Sequence, residues 1–255
     1  MKDGFDSFVR KEAVEILRTW RIWVLPGIAL FFALSGPALA KLTPQILQMA
    51  GLGQGGIEIK IPDPTFYDSY GQWIKNLSQI VLFAIIIIYG GLVSSERKSG
   101  TAVLVLTKPV SRRAFVAAKA LVHGVFITVI TVIGTLITWA LTAVVFGEAP
   151  GAALWQASLT WLALALFFLG LMTLLSVLLG SQAGAAGIGL GAYALLAIAT
   201  IFPPMVLLSP AGLVGAPAAI AAGRAFPSVW PVLTALVGAV ALVAWAAAAF
   251  AKQEL

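Results

Sequence analysis

The chain has 255 residues, 60% hydrophobic and only 10% charged, with a mean hydropathy of +1.00, whereas a soluble domain carries about 25% charged residues. A soluble globular domain, a disordered chain and a cysteine-stapled secreted scaffold are excluded, the last because cysteine is absent. What remains is an integral membrane protein, in which a net charge of +6 is read by its position relative to the spans and not as a nucleic-acid footprint.

Residues 1–21 come first. Phe5, Phe8, Val9, Ala13, Ile16, Leu17 and Trp20 recur at helical spacing, while Arg10, Lys11, Glu15, Arg18 and Arg21 fall mostly on the other side. This pattern predicts an amphipathic helix on the membrane surface; the plainer reading is a charged run-in that sets topology. Residues 22–255 then hold six windows of the roughly 20 apolar residues that a spanning helix needs. They lie near Ile22 to Ala40, Ile74 to Val93, Ala120 to Phe146, Ala153 to Leu179, Gly187 to Leu208 and Val229 to Phe250. Span 1 has no convincing cleavage pattern and is expected to stay in the mature chain.

Lys2, Arg10, Lys11, Arg18, Arg21, Arg97, Lys98, Lys108, Arg112, Arg113, Lys119 and Lys252 fall on one side of the membrane, leaving Lys41, Lys60, Lys75 and Arg224 for the other. The positive-inside rule then makes both termini cytoplasmic.

Between spans 1 and 2, the external segment 41–73 is too short for a domain. Thr65 with Asp68 forms an imperfect capping box, after which Phe66, Tyr70, Trp73, Ile74 and Leu77 share a helical face. Tyr67, Tyr70 and Trp73 fit an interfacial aromatic belt. Gln72, Asn76 and Gln79 could line an outward cavity for a ligand, or the helix could simply protrude into water there.

The stretch 94–113 is cytoplasmic. A charged element at Glu96, Arg97 and Lys98 is followed by Gly100, a short apolar helix capped by Thr101, and then Pro109 and Ser111, which restart a helix leading through Lys119 into span 3. Spans 3 to 6 hold almost no ionisable groups, so the mid-membrane carboxylates of ion-coupled transporters are missing. His123, one turn from Lys119, reads as a satisfied interfacial histidine better than as a proton relay. A membrane protease would need a base or metal ligands beside a nucleophile, and neither is visible; no metal site or catalytic residue is expected.

Gly180, Gly184, Gly187 and Gly191 repeat at small-residue spacing at the entry of span 5, a packing face toward another span or a second subunit. Between spans 5 and 6, Pro203-Pro204 ends the helix, and residues 205–228 are apolar for an external connection. Two short helices are predicted there, starting at Ser209-Pro210 and Ala216-Pro217 and stopping at Gly215 and Gly223, either dipping into the outer leaflet or lying on it.

The 94–113 stretch resembles the first cytoplasmic loop of permease subunits of type-two ATP-binding-cassette (ABC) exporters. Glu96, Arg97, Lys98, Gly100, Thr101, Leu104, Leu106, Pro109, Val110, Ser111, Arg112 and Lys119 occupy that family's motif positions. The resemblance extends to Lys11-Glu12 and Arg18 in the N-terminal helix, an early Pro26, six spans and the broken 5–6 connection. It implies an all-α integral membrane fold with a coupling helix at Gly100 to Thr107, in which Glu96, Arg97, Gly100, Thr101, Leu104, Lys108, Pro109 and Arg112 engage an ATP-binding ABC subunit. Lys11, Glu12 and Arg18 would belong to the interface helix beside it. The family further implies two ATP-binding subunits and a second permease, identical or paralogous, in the cell membrane. ATP and magnesium would be bound by the partner, so this chain is expected to hold no cofactor and no enzymatic activity of its own. The competing reading is a membrane scaffold or immunity-type protein that binds a partner and moves nothing.

Overall fold

The computed structural model describes residues 2–19, 21–49, 63–100, 111–226 and 228–253. No strand occurs among them. Six helices are long and apolar enough to cross a membrane, so the chain is a multi-pass membrane protein of the all-α class. The elements are α1 (Lys2–Arg18), α2 (Arg21–Met49), α3 (Phe66–Asn76), α4 (Leu82–Tyr89), α5 (Ser94–Lys98), α6 (Arg112–Phe146), α7 (Gly151–Leu178), α8 (Gln182–Ala199), α9 (Pro203–Leu208), α10 (Gly212–Ala221) and α11 (Trp230–Ala251). Span 1 is α2, span 2 runs from α3 to α5, and spans 3 to 6 are α6, α7, α8 and α11.

The windows move at several ends. The span 1 helix continues past Ala40 through Lys41 and Pro44 to Met49, where Lys41 Nζ donates to the Val145 carbonyl at 2.6 Å. Span 3 begins at Arg112, because Ser111 caps it by accepting from the Ala114 N–H at 3.2 Å. Span 5 is shifted toward the N-terminus. Ser181 caps it, and it stops at Ala199, so residues 200–208, assigned to that span from hydropathy, form a turn and the separate helix α9.

Pro203 and Pro204 occupy the first turn of α9, where a missing N–H costs nothing. The 5–6 connection does hold two short helices, but not with the expected punctuation: α10 starts near Ser209-Pro210, and Pro217 and Gly215 lie inside it. Gly223, at φ +76°, is the stop. Leu213, Pro217 and Ile220 are buried, and α10 packs chiefly on α7 and also on α3, so its backbone is covered by protein on that side.

Spans 2 and 4 are the most enclosed, and spans 5 and 6 present most of their surface outward. Span 2 is held from several directions. Tyr70 and Trp73 are fully buried, which corrects their assignment to an interfacial belt; Tyr67, 40% exposed, is the only one of the three that is open. Tyr70 donates to the Pro150 carbonyl at 3.1 Å and Trp73 Nε1 to Ser158 Oγ at 3.3 Å, so each polar end is satisfied inside the bundle. Trp73 lies so close to Gly134 of span 3 that a Cβ there would collide with the indole. One π-helical turn, Leu77–Val81, interrupts span 2 just after this contact.

Candidate functional site

The chain ends of spans 2, 3, 4 and 6 converge with α1 at one end of the bundle. Sequence periodicity places Phe8 and Ile16 on the inner face of α1, and both are buried. Phe8 lies against Phe115 of span 3, with ring centroids 5.3 Å apart, and Phe115 stacks on Phe250 of span 6 at 5.3 Å. Between Phe8 and Ile16, on the same inner face, sits Glu12, 1% exposed.

A buried carboxylate needs a partner, and Glu12 has one from span 3. Lys119 Nζ, fully buried, donates to Glu12 Oε2 at 2.9 Å and also to Glu96 Oε1 at the end of span 2. Lys11 Nζ completes the group, 2.9 Å from Glu12, 2.6 Å from Glu15 and 3.8 Å from Glu96. Burial works to lower the affinity of Lys11 for its proton, but the hydrogen bonds to Glu15 and Glu12 and the charge of Glu96 outweigh it and hold the ammonium well above the usual lysine range. The carboxylates of Glu12, Glu15 and Glu96 lie within 4.8 Å of one another. Two ammonium groups already stand among them and pair with them, so the cluster forms an ionic latch. It joins α1, α5 and span 3.

Arg97, the next residue of α5, is turned about 100° around the helix from Glu96 and so reaches elsewhere. Its Nη1 donates to Gln253 Oε1 at 2.8 Å and, more weakly, to the Val177 carbonyl at 3.5 Å. Gln253 Nε2 donates to the same Val177 carbonyl at 3.0 Å, and Arg112 Nη1 donates to the Gln253 carbonyl. Gln253 therefore ties together the two stems of the loop, α5 on one side and the first turn of span 3 on the other. Ser176 adds a further tie by accepting from the N–H groups of Val93 and Ser94 at 2.9 and 3.1 Å, where the span 2 helix is interrupted. Gly100, at φ +73°, turns the chain out of α5 in a conformation that a β-carbon disfavours.

Of the residues expected to engage a partner, Glu96, Arg97, Gly100 and Arg112 are thus gathered at this end, while Thr101, Leu104, Lys108 and Pro109 lie outside the described residues. Lys11 and Glu12 belong to the latch, and Arg18 is exposed at the end of α1. Sequence reasoning missed Gln253 and Ser176 altogether, and placed Lys119 in the motif without naming its partners. His123 is buried, with Nδ1 3.2 Å from Tyr89 Oη, so it is satisfied inside the bundle.

The remaining candidates lie elsewhere. Gly187 and Gly191 face open space, Gly184 meets only its own cap, Ser181, and Gly180 only Arg97. Spans 2 and 5 instead pack through Gly90, whose missing Cβ would lie 2.8 Å from the Gln182 carbonyl, and through Ala185, Ala186 and Gly189. Gln72 lines a cleft of about 310 Å³ with Thr43, Pro44, Asp63 and Asp68 at the opposite end of the bundle. Asp68 there accepts from the Thr65 N–H at 2.7 Å, the half of the capping box that fixes the start of α3. Asn76 is half-buried, and Gln79 is exposed on the π-helical turn.

No curated protein sequence matches the chain. Residues 7–255 match the family described as ABC-2 family transporter protein, so almost the whole polypeptide, latch and loop stems included, belongs to the ABC-2 family of membrane transporter subunits.

Proposed function

We propose that this permease subunit is the membrane half of an ATP-driven exporter, and that the loop 94–113 receives the motion of a separate ATP-binding subunit. The observation that carries this reading is the way the loop is mounted. Both stems are tied to the bundle, through Lys119, Glu12 and Glu96 on one side and through Arg97, Arg112 and Gln253 on the other. A force applied to the loop is delivered to spans 2 and 3, to α1, and to the ends of spans 4 and 6 together. On this reading Thr101, Leu104, Lys108 and Pro109 meet the partner, both termini are cytoplasmic, and ATP and magnesium belong to the partner chain.

The open glycine face of span 5 suits a second permease, since small residues let helices approach closely in lipid. Substrate would pass between the two permeases, with Gln72, Asn76 and Gln79 as its polar contacts. Gly100→Pro, which cannot reach a φ of +73°, and Glu96→Arg, which sets a third cation beside Lys11 and Lys119, are expected to abolish substrate-stimulated ATPase and transport while the chain still inserts. Normal transport by both variants, reconstituted with the ATP-binding subunit, would refute the assignment of the loop.

A further inference from the structure

A cleft of about 520 Å³ lies between spans 3, 4 and 6, and the transport reading makes no use of it. Its floor is span 4, where Gly170 meets the backbone of Ala239 so closely that a Cβ would lie 2.8 Å from that carbonyl, and where Leu166 lies beside Gly124. Ala117, Ala120 and Gly124 hollow out the span 3 wall. The cleft is apolar, and its one hydroxyl, Thr128, already donates to the Gly124 carbonyl at 2.8 Å. It opens sideways through Leu121, Val125 and Val240, which are 51%, 56% and 71% exposed.

We propose that this cleft seats one acyl chain of an anionic phospholipid from the leaflet on the side of the loop 94–113. Two features of the cleft select that occupant. On span 3 it runs from Ala117 to Val129, about 18 Å at the helical rise, which is close to the depth of one leaflet when the hydrocarbon core is about 30 Å thick. One turn beyond Ala117, on the same helical face and toward the loop end, stands the exposed Arg113, placed for a phosphate headgroup whose chain enters the cleft below it. A helix of a second subunit would need no cation at that height.

The placement of the leaflet as cytoplasmic rests on the proposed orientation; the lipid site itself does not, because liposomes with the same lipids in both leaflets test it whichever way the chain inserts. The full chain is reconstituted with phosphatidylcholine and phosphatidylglycerol, each in turn carrying a photoreactive acyl chain, and adducts are mapped by peptide mass spectrometry. Expected are adducts concentrated on 117–129, 166–170 and 236–243, favouring phosphatidylglycerol about fivefold, the contribution of one arginine near the headgroups. Arg113→Gln should bring that preference to about one while labelling of the cleft persists. Gly124→Leu should remove the labelling, and Ala117→Leu, a smaller intrusion, should reduce it should Gly124→Leu fail to insert. Labelling no denser than at the exposed Val144 and Leu195 would overturn the proposal. So would a headgroup preference that Arg113→Gln leaves intact. Disulfide formation between two copies of Val125→Cys, the sole thiol in such a chain, would also overturn it by showing that protein covers the cleft.

Discussion

Lys119 bears on two carboxylates at once, and replacing it with methionine keeps the stem while removing the charge. The latch holds two ammonium groups and three carboxylates, so Lys119→Met takes it from one net negative charge to two. Among the described residues, Glu12, 1% exposed, would keep only Lys11, and Glu96 would keep only Lys11 at 3.8 Å. Removing one partner from a buried pair costs about 3–5 kcal/mol, because the other charge stays buried and uncompensated. That is a large part of a total stability of about 5–15 kcal/mol, and corresponds to a fall in melting temperature of roughly 6–20 °C for a chain of this size. Thermal unfolding of the purified chain measures it, and trypsin cleavage at Arg10 and Arg18 reports whether α1 has come loose. A double-mutant cycle with Glu12→Gln should return a coupling of more than about 1 kcal/mol, as for residues sharing one ionic network. If Lys119→Met melts within 2 °C of the native chain and α1 stays equally resistant to trypsin, the latch does not hold the helix.

Four further variants probe the same structure. Gln253→Ala removes the side-chain acceptor of Arg97 and one donor to Val177; the cost should be about 1.5 kcal/mol, the low end for a bond to a charged group, and the ratio of substrate moved to ATP hydrolysed should fall in reconstituted vesicles. Gly134→Ala forces a Cβ into Trp73 and should destabilise by about 1–3 kcal/mol through overpacking, whereas Gly187→Leu should leave the melting point of the single chain unchanged and lower the yield of cross-linked permease dimers. The triple replacement Glu12→Leu, Glu96→Leu and Lys119→Met should restore a melting temperature near native, since apolar groups of similar volume can replace a buried ion cluster, yet should leave ATPase activity insensitive to substrate.

The spans were legible because a bilayer demands long apolar runs, and Ser111 and the Thr65-Asp68 pair marked helix starts by local chemistry alone; Ser181, which caps span 5, was not read, so that start was set too late. The inner face of α1 was legible from Phe8 and Ile16, but Glu12 on that face was not, because its partner is 107 residues away. Gln253 is harder still. It meets Arg97 across 156 residues and Arg112 across 141, and nothing in an Ala-rich helix end announces a hydrogen-bonding hub. Tyr70 and Trp73 misled because an aromatic near a span end has the same local sequence whether it faces headgroups or another helix; only the close approach allowed by Gly134 and the acceptors Pro150 and Ser158 decide it.

Stability alone does not account for an ionic contact between α1, α5 and span 3, since an apolar contact of the same size would hold them as well or better. The difference lies in what happens when they slide. Apolar faces exchange one partner for another with small loss, so a push on α5 could be absorbed by slippage against its neighbours. A shift of one helical turn, about 5.4 Å, would instead carry Glu96 away from Lys119 and leave a mostly buried carboxylate without its nearest ammonium. The latch therefore has one register. With Arg97 and Gln253 tying the other side of α5 to the ends of spans 4 and 6, the proposed function has a mechanical basis: displacement of the loop would move α1 and span 3 with it, the property a coupling element needs.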